Sequence, residues 1–346
     1  MAKISRRRKR LAEEIEEEIE ESGKKLLYTP VQTKLMISSG STLVDLAISG
    51  GRVRGGGIPG GILVEIYGRS SSGKTAMAME ICGSAQHKNG SAMVLDPESR
   101  LDKEYAKTYD AEIPKDNYYR PNTVNEVISK IQEWEPKDTN VINACIVDSI
   151  AALSTENEMD TEDKRGQQRA KDLSAGMRKT ARIISVPHKL TVFTNQVRAG
   201  DYGDVTPGGF AVGFYAMLRM RLQPGKPKKI EQQKKLSSGV TVKKVIGVNT
   251  MVTMVKNHID NEYRTAPLSV IYGVGIDDIR ANLQWYKDMT QGRKYDCVTK
   301  EFSSMDSAIR HIEKENLEAD LRENVIDLWE EIENKFRKDR KKKVRF

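Results

Sequence analysis

The chain of 346 residues reads as an α/β protein: a mostly parallel central sheet with helices on its faces, an N-terminal helical arm and a small C-terminal domain. Three observations carry that expectation. Gly68-Arg69-Ser70-Ser71-Ser72-Gly73-Lys74-Thr75 fits G-x-x-x-x-G-K-[ST] at every fixed position. The apolar run Ile62 to Tyr67 precedes it and the helix formers Ala76 to Ile81 follow it, so strand, loop and helix come in the order a phosphate loop requires. Three further apolar runs, Ala92 to Asp96, Val141 to Asp148 and Leu190 to Asn195, end in polar residues, and open parallel sheets bind ligands at the carboxyl ends of their strands.

The chain is long enough for one core of about 230 residues with smaller appendages. Lysine and arginine exceed aspartate and glutamate by 57 to 49, a formal +8, which suits a polyanionic partner without identifying one. Cys82, Cys145 and Cys297 are sparse and odd in number, which argues against a disulfide framework and for a reducing compartment. The four histidines have no zinc-ligand spacing with one another or with the cysteines. No apolar run reaches membrane-spanning length and no signal peptide is evident, so a cytoplasmic protein is expected.

Taken in order, residues 1–34 form a charged arm, basic from Ser5 to Arg10 and acidic from Glu13 to Glu21, with Leu11, Ile15 and Ile19 spaced by four. That spacing fits a helix with one thin apolar stripe, which either frays in solvent or docks on a neighbouring subunit. Residues 35–272 are assigned to the core. Ser38 to Ile48 alternates small and apolar residues, and the glycine-rich Gly50 to Gly61 turns the chain into the first core strand. Helices are expected over Val124 to Trp134 and Ala170 to Ile184. Past Pro207, Met217 to Leu222, Val240 to Val248 and Thr250 to Lys256 read as antiparallel strands, with the lysine- and glutamine-rich Gly225 to Gly239 as an exposed, mobile loop. Residues 273–336 are expected to form the smaller domain, ending in helices from Met305 to Asn316 and Leu321 to Phe336, and residues 337–346 form a basic tail.

The chemistry starts at the glycines of the loop, which let backbone N–H groups point at phosphate oxygens, while Lys74 reaches the β- and γ-phosphates and Thr75 offers its hydroxyl to Mg²⁺. Asp148 closes an apolar strand about seventy residues later, where such an acid holds the metal directly or through water. Glu98, two residues past a strand end, suits a general base that orients water against the γ-phosphate, and equally suits a carboxylate placed by a helix dipole. Asn195-Gln196 supplies an amide near the γ-phosphate, and the stretch that follows, Val197 to Gly209, reads as a flexible loop. With Thr155 to Gly166 it makes two polar loops near Arg165, Arg169, Lys171 and Arg178, which form either a cradle for one nucleic-acid strand or two ordinary solvated loops.

The order of these parts resembles the RecA family of strand-exchange ATPases, including phage recombinases of the UvsX kind. The resemblance rests on Ile37-Ser38-Ser39-Gly40-Ser41, Val64-Glu65-Ile66-Tyr67-Gly68, Asp96-Pro97-Glu98, Asp148-Ser149-Ile150-Ala151-Ala152-Leu153, Asn195-Gln196-Val197-Arg198, Phe214-Tyr215-Ala216 and Val255-Lys256-Asn257, spread in order from about Ile37 to Gly275. It implies a RecA-like P-loop ATPase that takes ATP and Mg²⁺. Glu98 would be the base, Asp102 and Tyr105 would lie against adenine, and Gln196 would sense the γ-phosphate at the root of the second DNA loop. Arg178 and Arg198 would contact DNA, with the N–H groups of Gly208 and Gly209 on its phosphates. Lys256, and His258 where bacterial members often carry a second lysine, would reach the ATP of the next subunit.

The implied activity is DNA-dependent ATP hydrolysis by a helical filament on single-stranded DNA that pairs with homologous double-stranded DNA, in a nucleoid or an infected bacterial cell, aided by loading and single-strand-binding proteins. Asp201 and Asp204 in the second loop and the basic end Lys341-Lys342-Lys343-Val344-Arg345 depart from the bacterial pattern. An accessory RecA-like ATPase and a hexameric helicase built on the same core are the alternatives.

Overall fold

The computed structural model describes residues 35–113, 115–154, 165–200, 203–205 and 210–336. The expected arm at 1–34 and the basic tail at 337–346 lie outside the described residues. The strands are β1 (Met36–Ile37), β2 (Ile58–Pro59), β3 (Ile62–Gly68), β4 (Ala92–Leu95), β5 (Tyr118–Tyr119), β6 (Asn143–Val147), β7 (Lys189–Gln196), β8 (Arg198–Gly200), β9 (Gly203–Val205), β10 (Leu218–Lys235), β11 (Thr241–Asn257), β12 (Thr265–Ile271), β13 (Gly275–Ile276), β14 (Tyr295–Asp296) and β15 (Glu301–Phe302). The helices are α1 (Thr42–Ser49), α2 (Lys74–His87), α3 (Lys103–Lys107), α4 (Val124–Glu133), α5 (Arg165–Ile184), α6 (Phe210–Tyr215), α7 (Asp278–Met289), α8 (Met305–Glu315) and α9 (Glu318–Phe336).

One sheet of nine strands organises the molecule, in the order β13-β12-β11-β10-β3-β7-β6-β4-β5. From β10 to β5 every neighbouring pair is parallel, and from β10 to β13 every pair is antiparallel. The sequence explains the division. Strands β3 and β6 are mostly apolar, with Glu65 and Asn143 the exceptions, and are buried along their whole length, as strands covered on both faces must be. Val64, Ile66, Leu190 and Val192 point into an apolar layer shared with α1 and α2, while Leu63 and Phe193 point to the opposite layer, against α4, α5 and α6. Among the described residues that second layer takes nothing from β11 or β12.

The stretch from Ser38 to Ile48 contains a helix, α1, where alternation alone suggested no definite element. All eight of its residues are buried, so it lacks the one-sided pattern that marks a surface helix. Its approach explains one glycine: a Cβ on Gly56, at φ 66°, would lie 1.9 Å from the carbonyl oxygen of Asp45.

Two expectations are corrected. Gly225 to Gly239 is not a loop. Strand β10 continues to Lys235, and residues Lys229 to Lys235 pair with Thr241 to Val248 of β11, so Val240 to Val248 and Thr250 to Lys256 belong to one ribbon strand. The cross-strand hydrogen bonds override a composition of lysine and glutamine that favours solvent, and only the tip at Leu236 to Val240 turns. The flexible loop expected from Val197 contains the short hairpin β8–β9, pairing Arg198 with Val205 and Gly200 with Gly203. The described residues belong to one compact unit, within which Leu283, Cys297, Ala308, Ile312 and Leu321 make a separate apolar cluster among the C-terminal elements.

Candidate nucleotide site and its flanking loops

The phosphate-loop residues sit at the carboxyl edge of the parallel strands. Gly68 ends β3, and Gly73 adopts φ 91° at the N-terminus of α2, a backbone angle that a side chain would strain. A Cβ on Gly68 would meet the Leu222 carbonyl at 2.4 Å and the Ser72 hydroxyl at 2.9 Å, so the turn is built for bare backbone. Lys74 is buried, and its ammonium donates to the carbonyls of Gly68 at 3.1 Å and Arg69 at 2.9 Å. Burial pulls its pKa below the ordinary lysine value, against the opposing pull of Asp148 and Glu98. The buried Ser72 hydroxyl has no hydrogen-bond partner among the described residues, and Ser71 also has a positive φ, 57°. An anion cradle with an orphaned hydroxyl, a lysine and a helix start fits a nucleotide phosphate.

Beside the cradle, the Thr75 and Thr194 hydroxyls both donate to Asp148, whose carboxyl is pushed up chiefly by burial and also by the nearby Glu98 and Asp96 carboxylates. A hydroxyl and a carboxylate next to a phosphate cradle are an oxygen donor set suited to Mg²⁺. Glu98 and Gln196, from the ends of different strands, meet directly: the Gln196 amide donates to Glu98 Oε1 at 3.1 Å, and Arg100 pairs with Oε2 at 3.2 Å. Asp102 caps α3, accepting from the Glu104 N–H at 3.2 Å. Tyr105, half exposed, shares a hydroxyl hydrogen bond of 3.0 Å with Tyr109, and burial raises its phenol. The charge of Asp148 adds to that rise, which puts the Tyr105 hydroxyl within the field of the site.

Lys256 and His258 are elsewhere. Lys256 pairs across the ribbon with Arg219, which pairs with Glu65 of β3, three residues before Gly68. Three residues along and two strands across put Lys256 about 10 Å from the phosphate edge in each direction. Its ammonium donates to the carbonyls of Gly213 at 3.1 Å and Phe214 at 2.8 Å, and burial and Arg219 lower its pKa. His258 is exposed, anchored by its N–H to the Met217 carbonyl at 2.9 Å. Arg165 and Arg169 lie one turn apart at the start of α5, Arg178 is exposed further along it, and Arg198 opens β8. Gly208 and Gly209 lie outside the described residues.

Sequence reading missed two contributors. Thr194 lies two residues before Gln196 on β7, so the period of two puts both on one face of the strand. Glu65, fully buried, pairs with Arg219 at 2.6 Å and accepts from Asn195 at 3.0 Å, tying β10, β3 and β7 together beneath the site. A lone acid in an apolar run was the signal. A cavity of about 300 Å³ opens at the same edge, lined by Gly68, Arg69, Val197, Arg221 and Pro224 among others. No helix among the described residues is long and apolar enough to cross a membrane.

A family model described as the RecA N-terminal domain matches residues 12–277. The chain is 31% identical over 258 residues to Protein RecA of Thermus thermophilus, covering 72% of this chain and 71% of that protein. It is 32% identical over 256 residues to Protein RecA of Thermotoga maritima, covering 72% and 67%. Protein RecA of Ruminococcus albus is 33% identical over 250 residues, with 70% and 58% covered. Because the match runs from before the phosphate loop to the last strand of the nine-stranded sheet, and not through the loop alone, the chain belongs to the RecA family.

Proposed function

We propose that the chain polymerises on single-stranded DNA as a helical filament, hydrolyses ATP there in a DNA-dependent manner, and pairs the bound strand with homologous duplex. The observation that carries this reading is the contact of Gln196 with Glu98 beside the phosphate cradle, in a chain of the RecA family. Lys74 exchanges its loop carbonyls for the β- and γ-phosphates, with Gly68, Arg69, Ser70, Ser71, Ser72 and Gly73 supplying the cradle. Thr75 and Asp148 would hold Mg²⁺, which would supply positive charge against the phosphates. Glu98 orients water and takes its proton, and Gln196, bonded to Glu98, reports on the γ-phosphate at the root of the loop that follows. Asp102 and Tyr105 border the adenine.

The distance of Lys256 and His258 from their own phosphate loop suits a role on the nucleotide of a neighbouring subunit. Such an interface nucleotide links binding to filament growth and hydrolysis to release. Arg165, Arg169, Arg178, Arg198, Gly208 and Gly209 are assigned to the DNA strand, residues 273–336 to a C-terminal module, and the cytoplasm to its place of action. Turnover measured with and without single-stranded DNA, with the same samples imaged for filaments, tests this reading. Strong stimulation with helical filaments supports it. Weak, DNA-independent turnover without filaments favours the accessory ATPase, in keeping with Asp201 and Asp204 in the second loop.

A further inference from the structure

Glu98 is held at both of its carboxylate oxygens. The Gln196 amide donates to Oε1 at 3.1 Å, and the Arg100 guanidinium donates to Oε2 at 3.2 Å. Those two donors are carried differently. Gln196 ends β7, whereas Arg100 lies two residues beyond Glu98 in the same turn.

That turn is pinned at both ends. The Ser99 N–H closes it on the Asp96 carbonyl at 3.1 Å, and Ser99 adopts φ 53°, a left-handed angle that reverses the chain between Glu98 and Arg100. Asp96, only 2% exposed, accepts from the Leu101 N–H at 2.9 Å and from the Tyr118 hydroxyl at 2.8 Å, and Arg120 donates to that hydroxyl at 3.2 Å. With its backbone fixed in this way, Glu98 keeps chiefly the rotation of its own side chain, and Gln196 and Arg100 act on that rotation.

Folding stability does not account for Arg100. Its side chain is 80% exposed against 20% for Glu98, and an ion pair so open to solvent contributes little to folding. Orientation does account for it, because a general base works only when its carboxylate faces the water it activates. Any turn of Gln196 toward a γ-phosphate loosens its hold on Oε1 at the moment when that aim matters, whereas Arg100 is borne by the same pinned turn as Glu98.

We propose that Arg100 is a positioning residue for hydrolysis, which fixes the Glu98 carboxylate through Oε2 and leaves Oε1 to water once Gln196 has turned to the nucleotide. The proposal rests on the reading of Glu98 as the base and adds to it a support independent of the sensor. A guanidinium that instead masks the base would hold turnover down, and its removal would speed the reaction.

The test measures steady-state ATP turnover by the full chain with Mg²⁺, with and without single-stranded DNA, in Arg100→Ala, Arg100→Lys and Glu98→Gln, beside urea midpoints. In Arg100→Ala, kcat should fall about 10-fold while KM for ATP stays within about two-fold, the mark of an interaction that acts in the transition state and not in binding. Arg100→Lys should recover at least half of the wild-type kcat, since one N–H to Oε2 is all that the contact uses. Urea midpoints should match wild type in both. An unchanged kcat in Arg100→Ala overturns the proposal, and so does faster turnover without DNA, which would make Arg100 a mask. A raised KM with kcat intact overturns it as well, since Arg100 would then hold the nucleotide. A lysine variant as slow as the alanine one, or a lowered urea midpoint in either, also overturns it, because the whole turn would have shifted. Glu98→Gln separates the two levels, with an expected loss of about 100-fold or more. Near-normal turnover there sinks the base and the proposal together, whereas an inactive Glu98→Gln beside a normal Arg100→Ala sinks the proposal alone.

Discussion

The two halves of the central sheet obey different rules. From β3 through β7 and β6 to β4 the strands are short, parallel and buried on both faces, and their carboxyl ends bring Lys74, Glu98, Asp148 and Gln196 to one edge. From β10 to β13 the strands are antiparallel, β11 alternates buried and half-exposed residues, and its distal end leaves the core. A strand covered on both faces has its place fixed by the core, so side chains at its end are held in position without support of their own. A strand with one free face can lengthen, and charge can collect on the part that leaves the core. The candidate nucleotide site sits at the first kind of edge and the exposed, lysine-rich ribbon at the second.

Removing the central cation of the buried half should have the largest effect. Lys74→Ala should reduce ATP turnover by about 100-fold or more, measured beside nucleotide binding by calorimetry, because the cradle loses its only buried ammonium. Near-normal turnover would place the reaction elsewhere. The next break is at the seam between the halves. Glu65→Ala strips Arg219 and Asn195 of a partner that is fully buried, and should cost about 3–5 kcal/mol in urea unfolding, as removal of one member of a buried ion pair does. A loss within experimental error would mean that water replaces the carboxylate and that the seam is held by backbone pairing alone.

How far the sequence was legible follows the same division. In the parallel half, local chemistry announces itself: the glycines of 68 and 73, the strand-ending acids, and continuous apolar runs in which a misplaced charge has no alternative site. Even Asp148 and Thr75, far apart in the chain, were assignable to one site because one follows a strand end and the other closes the phosphate loop at the start of α2. Thr194 and Glu65 escaped because an isolated hydroxyl or acid acquires meaning only when the neighbouring strand is known. In the antiparallel half, Gly225 to Gly239 has the composition of a loop, and its strand character comes from a partner on the far side of the turn. Helix α1 was hidden for the opposite reason, being buried all round.

That reading makes the ribbon a region of low local stability, which Ile230 should test. It is 8% exposed and the most enclosed side chain of the distal β10 segment. Ile230→Ala should lower protection against hydrogen exchange across 229–248 by about 2 kcal/mol, at the small end of the cost of such truncations, while β3, β6 and β7 keep theirs. Equal loss throughout the sheet would show that the ribbon unfolds only with the core.

The smallest effect belongs to the layer of helices that covers both halves. Asp45 in α1 accepts from the hydroxyls of Ser38 and Ser39 and the Ser39 N–H, and Asp278 in α7 accepts from the N–H and hydroxyl of Thr42. Burial pushes Asp45 up to about 6 and Glu80 up to about 7, with Asp110, Asp278 and Asp45 adding to the rise at Glu80, and burial raises Asp278 too. In the unfolded chain such groups titrate near pH 4. Between there and about pH 7 the folded protein binds more protons than the unfolded one, so its stability falls as pH rises through that window and is lowest above it. Glu80→Gln removes one of these groups and should raise stability at pH 8 by on the order of 1 kcal/mol, with little change at pH 5, in urea midpoints taken across the range. Because the layer packs on strands of both halves, the gain should appear in the exchange protection of β3 and β12 alike. A gain confined to one of them would mean that the halves unfold separately, and an unaltered pH profile would mean that Glu80 is ionised and solvated in the folded protein.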